Sequence, residues 1–178
     1  PSNQIKEEKN KDNYSNILLN EKIKNKILDL EFEIPISLVQ KQYQFLYETE
    51  LMNVGYDKKI HKDLEKFVKD TFKLELKEFE QRVSYLAHKT SKVSLFLQDY
   101  AKKNNINLTD EEIKNEIETK AHLFSGGINE AIKFFEEAEA KSRLSSSLLE
   151  NKAMSALLKG LKFEENKVDL ETFYKIKV

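Results

Sequence analysis

No cysteine and no tryptophan occur among the 178 residues, which include only four glycines, two prolines and two arginines, Arg82 and Arg143. Without cysteine there is no disulfide framework, no thiolate nucleophile and no sulfur-ligated metal site. Four glycines cannot build a glycine-rich phosphate cradle, and neither the dinucleotide fingerprint nor the P-loop motif is present. Two arginines leave little for bidentate contact with phosphates or base edges. Lys and Arg number 30 against 31 Asp and Glu, a formal charge of −1, and the two signs alternate without forming a basic stripe. Nucleic acid is therefore not an expected partner. No apolar run approaches the ~20 residues of a membrane span, so neither is a membrane. The chain starts at Pro1 without Met, as expected after methionine removal or for a piece of a longer protein.

What the sequence does have is helical periodicity, and it predicts an all-α fold, elongated, with a long spine helix and protruding helical arms. Residues 1–13 are polar except for Ile5 and read as a flexible lead-in. Ile17, Ile23, Ile27 and Leu30 then mark a first helix that ends near Leu30. Pro35 pushes Ile34 into extended conformation and suits the first position of the next helix, which runs to about Met52. Asn53-Val54-Gly55-Tyr56 is a turn, and Lys58 to Asp70 a third helical segment. The apolar stripes over 35–75 are thin, which predicts an arm rather than a core layer.

A long helix is expected from about Thr71 to Asn104. Phe72, Leu76, Phe79, Val83, Leu86, Thr90, Val93, Leu97 and Tyr100 recur in steps of four and three, a seam like that of helices packed lengthwise. Ala87, Ser94, Phe96 and Ala101 widen it toward the C-terminal end, which places that end in a core. Asn104-Asn105 stops the helix, and Thr109 with Glu112 forms a capping box for the next one. That helix carries Ile113, Ile117 and Phe124 and ends at Gly126-Gly127. Asn129 opens another, and a last runs from about Ala138 to Lys159 with Gly160 as its left-handed cap. The tail 161–178 reads as an extended segment and a short helix.

Candidate chemistry is sparse. His61, His88 and His122 share no metal-ligand spacing. The pairs Glu111-Glu112 and Glu136-Glu137 are accounted for by capping and solvated helix faces, and Ser145-Ser146-Ser147, with no general base paired to it, reads as helix positions facing solvent or packing as small residues. No catalytic, cofactor-binding or metal residue is expected. The eleven Phe and seven Tyr are more informative. Tyr47, Tyr56 and Phe67 fall on the arm, while Phe124, Phe134 and Phe135 flank Gly126-Gly127. Aromatics left exposed in a group mark a binding surface, one suited to weak, additive capture of extended chains.

The order of elements, with Phe32-Glu33-Ile34-Pro35-Ile36-Ser37-Leu38-Val39, then Asn105-Ile106-Asn107-Leu108-Thr109-Asp110-Glu111-Glu112, then FSGGINEAIKFFEE (124–137) and LLENKAMSALLKGLKF (148–163), resembles the C-terminal domain of bacterial trigger factor, a ribosome-associated chaperone. The resemblance spans about 14–175 and is poor over 53–75. It implies a cytoplasmic, helical cradle that holds nascent or unfolded polypeptide without ATP or other cofactor, as a monomer or weak homodimer. Phe124, Ala131 and Phe134 match the family's cradle-lining positions. The family's ribosome-binding and prolyl-isomerase domains are not among these residues, so the resemblance implies an excised C-terminal domain that is not an enzyme and meets the ribosome only through domains absent here. Two other readings fit the same pattern: the helical core of a periplasmic prolyl-isomerase chaperone, and a coiled-coil scaffold that uses the long helix.

Overall fold

The computed structural model describes residues 17–164. The predicted lead-in 1–13 and all but the start of the predicted tail lie outside them. Among the described residues the protein is all-α: α1 (17–29), α2 (Ile36–Asn53), α3 (Leu64–Phe72), α4 (Leu76–Lys103), α5 (Asp110–Lys120), a 3-10 turn (Ala121–Leu123), α6 (Gly127–Glu136) and α7 (Ala138–Glu164). They form two compact units, one continuous (24–95) and one assembled from residues up to 23 and from 96 onward.

In the continuous unit Pro35, at φ −55° and ψ 127°, caps α2 from just outside it, and its carbonyl accepts from Leu38 and Val39 N–H. α2 ends in a paired stop. Tyr56 N–H donates to Leu51 O at 2.9 Å and Gly55 N–H to Met52 O at 3.0 Å, with Gly55 left-handed at φ +81°. This is the Schellman arrangement, which satisfies otherwise orphaned helix carbonyls. Tyr56 packs on the cluster that contains Leu51, completing the motif's apolar contact. The expected helix from Lys58 is instead a loop tied by Asp57, whose carboxylate accepts from Lys59 N–H at 2.7 Å. α3 begins only at Leu64, where Asp63 Oδ1 accepts from Lys66 N–H.

The long helix starts later than its periodicity indicates. Lys73 is left-handed at φ 58° and closes α3, so Phe72 belongs to α3 and α4 opens at Leu76. The three helices then enclose a core of Leu51, Val68, Phe79 and Val83, with Tyr43, Leu46, Tyr47, Tyr56, Phe67 and Phe72 among the residues around it. The region expected to be an arm without a core layer therefore has one. Its stripes look thin because each helix supplies only one or two of the buried residues.

Along α4 the buried positions in this unit are Phe79, Val83, Ala87 and Ser91, followed by Val93, while Thr90, on the expected seam, is exposed. Steps of four advance about 40° each round a 3.6-residue helix, so this buried face winds off the expected seam, which alternates steps of four and three. Ser91 is 2% exposed and its hydroxyl has no hydrogen-bond partner. A buried, unpaired hydroxyl opposes folding, and alanine is the better helix former. Ser91→Ala is therefore expected to stabilise the protein by about 1 kcal/mol, read as a higher urea midpoint at unchanged slope.

In the second unit α4 ends in another Schellman stop: Ile106 N–H donates to Ala101 O at 2.8 Å and Asn105, at φ 54°, takes the left-handed place. Asparagine tolerates that conformation better than most residues, so the predicted stop at Asn104-Asn105 is met. The expected capping box is also present, with Glu112 N–H on Thr109 Oγ1 and Thr109 N–H on Glu112 Oε2. α6 packs against α5, the 3-10 turn and α7. α7 buries Leu144, Ala153, Met154, Leu157 and Leu161. Gly160 does not cap it: the helix continues to Glu164.

Candidate functional site

Residues 121–136 make the most distinctive surface. After α5 the chain tightens into the 3-10 turn, Phe124 is extended at φ −107° and ψ 133°, and Gly127 N–H donates to Phe124 O at 3.0 Å. Gly126 (φ −85°, ψ 9°) has the conformation of the third residue of a type I turn. Gly127 follows at φ +61°, a conformation that strains any side chain with a Cβ, and opens α6 two residues before the expected Asn129.

This turn folds Phe124 back onto α6. Its ring centroid lies 5.4 Å from that of Phe134 and 6.0 Å from that of Phe135, and the last two are 5.1 Å apart and nearly perpendicular. Such spacings and angles are favourable for aromatic pairs. The three aromatics expected to flank the glycines are thus brought together. Phe134 is nevertheless 50% exposed, and Leu123, Ile128 and Ile132 are exposed beside it in sequence. Burying that much apolar side chain would be favourable by roughly 25 cal/mol per Å² of area removed from water. Ala131 is different: at 0% exposure it seats α6 on its neighbours and offers no surface to a ligand.

Tyr47, Tyr56 and Phe67 lie in the continuous unit and are half-buried around its core. Tyr47 meets Phe79 edge-on at 5.4 Å, Tyr56 meets Phe67 at 5.0 Å, and His61 lies against both Tyr56 and Phe67. Burial, then the charge of Glu80, holds the hydroxyls of Tyr43 and Tyr47 above the usual tyrosine range, so both stay neutral at physiological pH. The exposed apolar residues of this unit are others: Ile36, Met52, Val54, Ile60 and Tyr85 among them. Sequence reasoning missed these. Ile60 stands at helical spacing with Leu64, Phe67 and Val68 and reads as part of their stripe, but the loop before α3 leaves it exposed.

In the same unit, Lys152 of α7 ties down the start of α5. Its ammonium donates to Glu112 Oε1 at 2.6 Å and to Asn107 O at 2.8 Å. The Lys152 hydrogen bond, then that from Thr109 N–H, holds the Glu112 carboxyl below its ordinary value of 4.5. A carboxyl depressed in the folded state stabilises the fold above its unfolded pKa and loses that contribution as pH falls through the folded value. The expected result is a smaller drop in melting temperature between pH 7 and pH 3 for Lys152→Met than for the wild type, measured by circular dichroism. Among the described residues no group of His, Asp and Glu could hold a metal ion, and no helix is long and apolar enough to cross a membrane.

A family model described as the C-terminus of bacterial trigger factor protein matches residues 2–159. The chain belongs to the trigger factor family. Its relatives include trigger factors of Azorhizobium caulinodans (24% identical over 163 residues, 87% of this chain and 34% of the relative), Nitrobacter hamburgensis (25% over 146 residues, 82% and 30%) and Bartonella bacilliformis (26% over 172 residues, 92% and 34%). The chain thus spans about a third of the length of the curated relatives it matches. No solved structure matches it. The match lies in the family's chaperone part, and these 178 residues do not include its isomerase domain. The trigger factor motifs fall on the points that set the chain's course: 32–39 on the α2 start, 105–112 on the α4 stop and α5 cap, and 124–137 on the aromatic turn and α6.

Proposed function

We propose that this chain is an ATP-independent, cytoplasmic chaperone module that holds unfolded or nascent polypeptide by weak, additive apolar contacts. The observation that carries the reading is Phe134, half exposed beside Phe124 and Phe135. A side chain so placed gives up favourable burial in the free protein. Leu123, Ile128 and Ile132 extend the apolar contact, and membership of the trigger factor family supports it. Ala131 acts as the seat of this surface. Tyr47, Tyr56 and Phe67 complete the proposed set, their half-exposed edges serving as a second, separate point of contact. The coiled-coil scaffold is less well supported, because the buried face of α4 departs from the heptad at Thr90.

The test is light scattering of a chemically denatured protein diluted into buffer with the 178-residue chain. The wild type is expected to slow aggregation, and Phe124→Ala with Phe134→Ala to lose most of that effect while keeping the far-ultraviolet spectrum. Proline isomerisation in a model peptide is expected to proceed at its uncatalysed rate. No slowing of aggregation at several-fold molar excess would overturn the reading.

A further inference from the structure

One side chain clasps the turn that brings Phe124 onto α6. Glu130, in the first turns of α6, reaches back so that its Oε2 accepts from Gly126 N–H at 2.5 Å and from the Ser125 hydroxyl at 3.2 Å. The approach is close: a Cβ on Gly126 would stand 2.8 Å from that same oxygen and 3.0 Å from Glu130 Cβ. A side chain at Gly126 would therefore have to displace this carboxylate. No side chain at Gly126 itself caps the helix; Glu130 instead reaches back to the N–H of the N-cap residue, the bond that the glutamate of a capping box makes. Its negative charge suits the helix N-terminus.

A Ser or Asp at position 126 would accept from N–H groups two or three residues further on and leave the Gly126 N–H free, without tying the turn to the body of the helix. Glu130 binds Ser125 and Gly126, the two residues after Phe124, to a point one turn along α6. Phe134 lies one helical turn beyond Glu130, and Phe135 follows it. Leu123 on one side of Phe124 and Ser125 on the other are exposed, so, besides its backbone bonds with Ala121 and Gly127, the clasp and the two neighbouring rings hold Phe124 in place. We infer that Glu130 is the positioning residue of the aromatic surface, setting the Phe124 ring against Phe134 and Phe135 in the arrangement that meets an unfolded chain. The inference rests on the proposed chaperone reading of that surface.

Three variants of the full 178-residue chain separate reach from charge. Glu130→Gln keeps the reach and an acceptor oxygen, Glu130→Asp keeps the charge but is one methylene too short, and Glu130→Ala loses both. Affinity is read by fluorescence anisotropy with a labelled, reduced and carboxymethylated protein that stays unfolded. Glu130→Ala and Glu130→Asp are expected to bind it roughly fivefold more weakly, the factor that about 1 kcal/mol of lost cap corresponds to. Glu130→Gln is expected to stay within about twofold of the wild type. A second readout is independent of binding: nuclear Overhauser contacts between the Phe124 and Phe134 rings and slow exchange of the Gly126 amide, kept in the wild type and Glu130→Gln and lost in the other two.

Wild-type affinity or intact ring contacts in Glu130→Ala would overturn the inference. So would the reverse order, with Asp behaving as wild type and Gln as Ala, since charge at the helix end would then be the cause. If Glu130→Ala fails to fold, the Gln and Asp variants decide by the same criteria. Should the wild type bind no unfolded client, the chaperone reading fails and the inference with it. Ring contacts that nevertheless follow the expected order would show that the clasp holds the turn for some other purpose.

Discussion

Replacing Phe79 with alanine is expected to destabilise the continuous unit by about 3–5 kcal/mol, the range for emptying a buried aromatic site. Phe79 is fully buried, the largest side chain to be so among the described residues, with Phe72 at 4.8 Å and Tyr47 at 5.4 Å between ring centroids. Those contacts join α2, α3 and α4 through one residue. Removing it loses the transfer free energy of the ring, both aromatic pairings and the packing of Leu51, Val68 and Val83 that border the void. Natural domains are stable by only about 5–15 kcal/mol, so the variant should be largely unfolded at moderate urea concentrations where the wild type is folded. Equilibrium urea unfolding followed by tyrosine fluorescence checks this. A loss below about 1 kcal/mol would mean that the three helices are held together by something other than this core.

Ala131→Asp is expected to be the most damaging single change to α6. A methyl group at 0% exposure becomes a carboxylate that must be buried or must force the helix away from α5 and α7. The cost of an unpaired buried charge is several kcal/mol, roughly 3 or more. The expected result is a fall in the urea midpoint, together with loss of the Phe124–Phe134 contacts and of the proposed client binding. A residue that merely lined the surface would behave differently, changing affinity with little change in stability. Ala131→Ser, nearly isosteric, gives the milder control.

That contrast bears on how much of this molecule could be read in advance. Features made by chemistry within a few residues were legible: Pro35 at the start of α2, the Asn104-Asn105 stop, the Thr109–Glu112 box and the convergence of aromatics about Gly126-Gly127. Features decided by neighbours distant in sequence were not. Lys73 carries no signal for a left-handed conformation, so α3 and the start of α4 read as other than they are. Gly160 looks like a cap and is an ordinary turn of α7. Ala131 matched a lining position by family pattern, but a residue so small serves equally to admit a neighbouring helix, and only its packing decides between the two. Thr90 keeps helical spacing with Phe79 yet is exposed, while Ala87 and Ser91 on its flank are buried, a matter of packing that periodicity does not carry. Glu130 was passed over because a glutamate on a helix is commonplace until its oxygen is seen against Gly126.

The division of the chain has a consequence for the order in which the molecule can be completed. Residues 24–95 form their unit from one uninterrupted stretch, whereas the other unit draws on residues before 24 and after 95. A chain made from its N-terminus therefore has the whole of the first unit available while the second still lacks most of its partners, and domains generally fold as units during synthesis. Once 24–95 has folded, much of the entropy of closing that stretch has already been lost, and the remaining association is of a shortened loop. The aromatic turn, built from 121–136, emerges after that unit. Its own contacts are local and quickly made, but its seating on α7 waits for the residues that follow.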